Sequence, residues 1–116
     1  MTYTLFMELV ESLFSLKKAH ETFYMVNACL DEITHLANNL INTDPRYKNF
    51  AKKYIDLADR GHKIIKLDER ILMIELDKED INKEFFLELV QEEQTTFDNF
   101  KELLDTLINQ AEEFFV

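Results

Sequence analysis

The sequence predicts an all-α protein, and three observations carry that prediction. One Gly and one Pro in 116 residues leave little material for the tight turns that join strands. Hydrophobic residues make up 47% of the chain and recur at spacings of three and four over three long segments. Each segment carries two neighbouring apolar lines, and a helix with two such lines needs two packing partners. An up-down-up antiparallel bundle of three long helices, about 2–41, 45–76 and 80–115, satisfies all three within one domain spanning 1–116. A chain of this length buries roughly two thirds of the surface its unfolded form exposes, so no cofactor is needed to hold it together.

The first predicted helix has Leu5, Leu9, Leu13, Leu16, Phe23, Leu30, Ala37 and Ile41 on its main line. A second line runs through Phe6, Val10 and Phe14 and resumes at Val26, Ile33, Leu36 and Leu40. Unbroken, this helix is about 60 Å long. The pattern thins between Ser15 and Thr22, which marks the place for a bend.

Asn42-Thr43-Asp44-Pro45 then ends one helix and starts the next, because Asp44 suits an N-cap and Pro45 the first helical position. The second helix is the one the others pack around. Phe50, Tyr54, Leu57, Gly61 and Ile64 form one line, and Ala51, Ile55, Ala58, Ile65, Leu72 and Leu76 the other. Gly61 costs this helix up to about 1 kcal/mol relative to Ala, which close approach by a neighbouring helix would explain.

Asp77 or Asp80 is expected to cap the third helix, whose lines run through Phe85, Leu89, Thr96, Phe100, Leu103, Leu107, Ala111 and Phe114, and through Phe86, Val90, Phe97, Leu104, Ile108 and Phe115. His20, Asn27 and Thr96 interrupt apolar lines at about the height of Gly61 and His62, which predicts a polar layer across the middle.

Charge supports the order of the helices. Residues 1–43 hold 5 acids and 2 bases, 44–79 hold 8 and 9, and 80–116 hold 10 and 2. The middle helix is the electrostatic partner of the third. With a turn near residue 78, Arg46, Lys48, Lys52 and Lys53 lie level with Glu102, Asp105, Glu112 and Glu113. The net charge of −10 disfavours nucleic acid and anionic membranes as partners and favours a basic protein. No apolar run approaches the roughly 20 residues that span a bilayer. The N-terminus lacks a signal-peptide pattern, and the single Cys29 excludes an intrachain disulfide, so a cytoplasmic setting is expected.

Two pairs share the Glu-x-x-His spacing of ferritin-like di-iron bundles, Glu32 with His35 and, with Asp for Glu, Asp59 with His62. A hairpin turning near residue 43 puts His35 level with about residue 51 and separates the pairs by about 16 Å along the axis. No carboxylate is read on the apolar lines to bridge a metal pair, so neither a metal nor a cofactor is expected. Helical histidine phosphotransfer domains follow their reactive His with Lys three residues later and then Gly; here Ile65 takes the Lys position after His62, and no Gly follows. Phosphate loops, paired metal-binding Cys and a nucleophile elbow are all missing from the sequence, and no enzymatic activity is expected.

The expected function is therefore a non-enzymatic protein-binding bundle of adaptor, inhibitor, immunity or secretion-chaperone type. Small flagellar and type III export chaperones are similar in size and helicity. Ten Phe and four Tyr are more than one bundle face can bury, with Phe85-Phe86 and Phe114-Phe115 side by side, so a foreign protein or a second copy is expected to cover these ends. The acidic face of the third helix, Glu84, Glu88, Glu92, Asp98, Glu102, Asp105 and Glu112 with Thr95 and Asn109, is the other candidate partner-binding surface.

The alternative reading is an acidic inhibitor of a DNA- or RNA-binding protein that mimics nucleic acid. Ten carboxylates along about 55 Å of helix, however, give one per about 5.5 Å, against one per about 1.7 Å in duplex DNA. A di-metal or phosphotransfer protein ranks third.

Overall fold

Where the sequence predicts one helix from 2 to 41, the computed structural model holds two. It describes residues 2–22, 26–77 and 82–115, with the side chains of 20–22, 76–77 and 115 left aside. These residues form α1 (Thr2–Thr22), α2 (Val26–Thr43), a 3₁₀ turn (Pro45–Tyr47), α3 (Lys48–Asp77), α4 (Lys83–Glu112) and a last 3₁₀ turn (Glu113–Phe115). No strand occurs among them.

Burial decides the split. An unbroken helix of about 60 Å would outrun the molecule, whose longest dimension is 55 Å, and would hold the apolar faces of its halves apart. Folded back, Leu9, Val10, Leu13 and Leu16 of α1 share one core with Leu30, Ile33, Ala37 and Leu40 of α2. The stretch from Ser15 to Thr22 is helical to its end, so the reversal falls between Thr22 and Val26.

Ring contacts and cross-helix bonds give the directions. Phe6, near the start of α1, stacks on Phe50 of α3 at 5.0 Å, which places the start of α1 beside the end of α2. Leu30 of α2 sits on Gly61 of α3, and Arg60 of α3 donates to the Asn99 carbonyl of α4. The four helices thus alternate in direction. α3 packs on both α2 and α4, the two partners its two apolar lines require, while α1 packs on α2 and more lightly on α4.

The α2–α3 turn follows from its residues. Asp44 has an extended backbone, and its Oδ1 accepts from the Arg46 amide at 3.1 Å as an N-cap, with Pro45 next to it. Arg46 turns back to donate from Nε and Nη2 to the same carboxylate, at 2.9 and 2.7 Å. Because Pro45–Tyr47 is itself a turn of 3₁₀ helix, the hairpin folds there and not at residue 43. A turn at 43 would set Leu30 level with about residue 56 at 1.5 Å per residue; Leu30 meets Gly61 instead.

The start of α4 also differs from expectation. Asp77 belongs to α3 and Asp80 lies outside the described residues; the cap is Asn82, which accepts from the Glu84 amide at 3.0 Å. A capping side chain must stand just ahead of the first turn, and that turn starts at Lys83.

Gly61 is the crossing point of three helices. A Cβ there would lie 2.7 Å from both Leu30 methyl carbons and 3.1 Å from Phe100 Cε2, so the close approach inferred for this glycine is present. Among the described residues the expected polar layer does not form as a set of paired groups. Asn27 is exposed, and buried Thr96 donates to the Glu92 carbonyl of its own helix at 2.8 Å. The side chain of His20 lies outside the described residues.

Helix lengths complete the shape. α3 and α4 have 30 residues each and α2 has 18, about 45 Å against about 27 Å. α2 and α3 meet at the Asp44 turn, and α4 ends at that same end of the bundle, where Phe114 lies beside Phe50, so the far ends of α3 and α4 project as a two-helix arm. The arm has its own small core of Leu67, Ile71 and Leu89, with Ile74 and Phe86 beside it.

Candidate functional site

The acidic stripe lies along the outer face of α4, with Glu84, Glu88, Glu92, Asp98, Glu102, Asp105 and Glu112 all exposed, as are Thr95 and Asn109. The opposite face, Leu89, Thr96, Phe100, Leu104, Leu107 and Ala111, is buried. Two members of the stripe have partners. Glu92 Oε1 lies 3.2 Å from Lys63 Nζ of α3, and Asp98 accepts from Gln94 at 3.0 Å. The midpoint of the Lys63–Glu92 pair falls close to residue 78, the turn position used above to align the charges of the two helices. Arg46, expected opposite the end of α4, turns to Asp44 instead.

The phenylalanine pairs stand at opposite ends of α4, about 44 Å apart, and do not form one surface. Phe86 packs into the small arm core, while Phe85 is 39% exposed beneath the Arg70 guanidinium, 5.1 Å from its ring centre. Phe114 closes an aromatic cluster at the other end, 5.1 Å from Phe6 and 6.5 Å from Phe50, with half of its surface still open. The side chain of Phe115 lies outside the described residues.

Sequence reasoning missed the apolar surface of the arm. Leu72 is 51% exposed, Met73 66%, Leu87 54% and Val90 41%. Leu72 and Val90 belong to the second apolar lines of α3 and α4. Nearer the turn, that line of α3 buries Ala51 and Ala58 in the main core; past the level of Val26, where α2 begins, Leu72 and Val90 on these lines are exposed. Comparing the lengths of α2 and α3 would have revealed this, but the reading of 2–41 as one helix concealed it.

A carboxylate on the apolar lines was missed too. Glu93 stands seven residues before Phe100 and seven after Phe86, on the inner face of α4. Its Oε2 is buried without a hydrogen-bond partner. Burial first, then the charge of the Asp68 carboxylate, and last a hydrogen bond to Asp68 that only the protonated acid can donate, push its carboxyl above the ordinary value of 4.5. Asp68 and Glu93 together flank a groove between α3 and α4. One part, about 390 Å³, is lined by Val26, Gly61, Ile65 and Phe97; the next, about 320 Å³, by Ile71, Leu72, Glu75 and Val90.

The histidine pairs are brought closer than expected, because the α2–α3 register differs. His62 Nε2 lies 3.2 Å from Asp31 Oδ1, so the separation of about 16 Å inferred from a turn at residue 43 does not hold. The pairs still do not converge. His35 is exposed and bonded to Asn39 of its own helix at 3.2 Å, and no group of three or more metal-ligating side chains is found among the described residues. The hollow beside His62, about 570 Å³, is lined by Asp59 and Glu69 as well as Lys63 and Lys66, and so mixes both signs of charge. Burial, and then the Glu32 carboxylate, push the half-buried Cys29 thiol up, away from the thiolate a nucleophile needs.

No helix of the described residues is long and apolar enough to cross a membrane. No family model, curated protein or solved structure matches the chain.

Proposed function

We propose that this protein is a non-enzymatic, cytoplasmic binding module that recognises another protein through the arm of α3 and α4. The observation that carries this reading is where exposed apolar side chains gather. Among the described residues the exposed large hydrophobic side chains are Tyr3, Leu72, Met73, Phe85, Leu87, Val90 and Phe114, and five of these seven are on the arm. A two-helix arm whose own core holds three buried side chains is weakly supported, and a partner that covers it would stabilise it. The preferred partner is basic, since 80–116 carries 10 acids and 2 bases and the stripe beside the arm would speed encounter with positive charge. Adaptor, inhibitor, immunity and secretion-chaperone roles all use such a surface.

The arm is tested by capture from the native host with wild type and a Leu72→Asp/Val90→Asp variant as baits. Both substitutions are at exposed positions, so the fold should survive. Proteins held by the wild type and released by the variant support the reading; equal capture by both removes it.

The long stripe also favours the second reading, mimicry of nucleic acid. Glu84, Glu88, Glu102 and Asp105 point outward along one helix, although their spacing is several times that of phosphates in a duplex. Displacement of DNA or RNA from a captured partner would support it. Homodimerisation is the remaining way to cover the arm, and light scattering coupled to size exclusion decides that point.

A further inference from the structure

Resting on the reading of the arm as a protein-binding surface, we propose that its inner groove takes one amphipathic helix of a partner protein, with a single Lys or Arg in the apolar stripe seated at Asp68 and Glu93.

The groove continues the seat of the α1–α2 hairpin. Val26, the first residue of α2, lines it together with Gly61, Ile65 and Phe97. Farther out, Leu72 and Val90 line its extension. The same face of α3 and α4 thus already packs a helix, and beyond Val26 the seat goes on. From Ile65, level with Val26, to Glu75 it offers about 15 Å, the length of about 10 helical residues. A helix laid there would prolong the bundle to the end of the arm, in the helix-in-groove mode of recognition.

Its chemistry selects the occupant. The floor is apolar, and the polar groups along it are the carboxyls of Asp68, Glu75 and Glu93. Among the described residues no Lys or Arg lines it, so the Glu93 carboxyl, whose Oε2 is buried, has only the Asp68 carboxyl as its polar neighbour there. An ammonium or guanidinium brings both the donors and the charge that this pair lacks. A symmetric second copy would instead bring a second pair of the same carboxyls into the interface, with −10 on each molecule. Like charges facing each other in such an interface are penalised, so a foreign basic helix fits and a second copy does not.

The test uses three synthetic 18-residue helical peptides, alike except for one central position in a leucine stripe, which holds Lys, Leu or Glu. Each is titrated into ¹⁵N-labelled full-length protein, with amide shifts giving the location and the affinity. The expected result is shifts at Ile65, Asp68, Leu72, Val90 and Glu93, with the Lys peptide binding about 10-fold or more tighter than the Glu peptide. Asp68→Lys/Glu93→Lys should reverse that order. Binding in the groove that ignores the central residue overturns the basic seat while leaving the arm as a binding surface. Shifts elsewhere, or none at millimolar peptide, overturn the helix as occupant. A concentration-dependent dimer that Leu72→Asp abolishes would assign the groove to a second copy and overturn the proposal.

Discussion

Leu30 of α2 fills the notch that Gly61 leaves in α3, with both of its methyl carbons 2.7 Å from where a Cβ would stand. Helix propensity alone says that Gly61→Ala stabilises by up to about 1 kcal/mol. The packing says otherwise, because Leu30 is fully buried and Phe100 closes the other side. Forced repacking of a filled core costs about 1–3 kcal/mol. Gly61→Ala should therefore lower stability in urea titrations by about 1 kcal/mol net, and Leu30→Val in the same chain should recover part of the loss. A stabilised Gly61→Ala would show that the helices do not cross there.

Glu93 gives stability a defined pH dependence. Its carboxyl is raised above 4.5 by burial and by Asp68, so the folded state holds this proton more tightly than the unfolded chain does. Stability from this site is greatest at or below pH 4.5 and falls as pH rises through the raised value. Glu93→Gln removes the charge and should stabilise the protein at pH 7 by about 1 kcal/mol, with wild type and variant converging toward pH 4.5. Thermal unfolding of both between pH 4.5 and 8 reads this directly.

Asp44 has the opposite sign. The hydrogen bond from the Arg46 side chain holds its carboxyl below the ordinary value of 3.8, so its contribution is present above that pH and is lost as pH falls below it. Asp44→Asn keeps a capping oxygen but loses the charge that Arg46 holds, whereas Asp44→Ala loses both. Melting temperatures at pH 7 should fall in the order wild type, Asn, Ala, and the gap between wild type and Asn should narrow as pH falls below 3.8.

The stripe on α4 should be dispensable for folding. Lys63–Glu92 joins two half-exposed side chains, and such a pair is worth about 0.2–1 kcal/mol. Glu88→Gln/Glu92→Gln/Glu102→Gln is therefore expected to keep its helicity by circular dichroism. With a basic partner, association should slow and lose most of its salt dependence, since exposed charges act chiefly on the encounter. Kinetics indifferent to both salt and substitution would leave the stripe a role in solubility alone.

Legibility in the sequence followed how local each signal was. Asp44-Pro45 announced its turn because capping and proline chemistry act within a few residues. The two apolar lines of α3 implied two partners, and α3 packs on α2 and α4. The reversal between α1 and α2 was not legible as one, since no Gly or Pro marks it and both halves carry the same periodicity. It is selected by burial between residues far apart in the chain, such as Leu13 with Ile33 and Leu40. The groove was hidden for the same reason: Leu72 and Val90 look like core positions until α2 proves much shorter than α3 and both are found exposed. Glu93 was legible in principle as an acid on an apolar line.

The central claim is that the far ends of α3 and α4 stand uncovered until a partner seats on them. Hydrogen exchange of the free protein, read amide by amide, tests it most directly. Amides of 66–77 and 83–93 should exchange at least about 100-fold faster than those of 50–62 and 98–110 in the same two helices, as expected for a segment that opens without global unfolding. Uniform protection along α3 and α4 at low protein concentration would contradict the account.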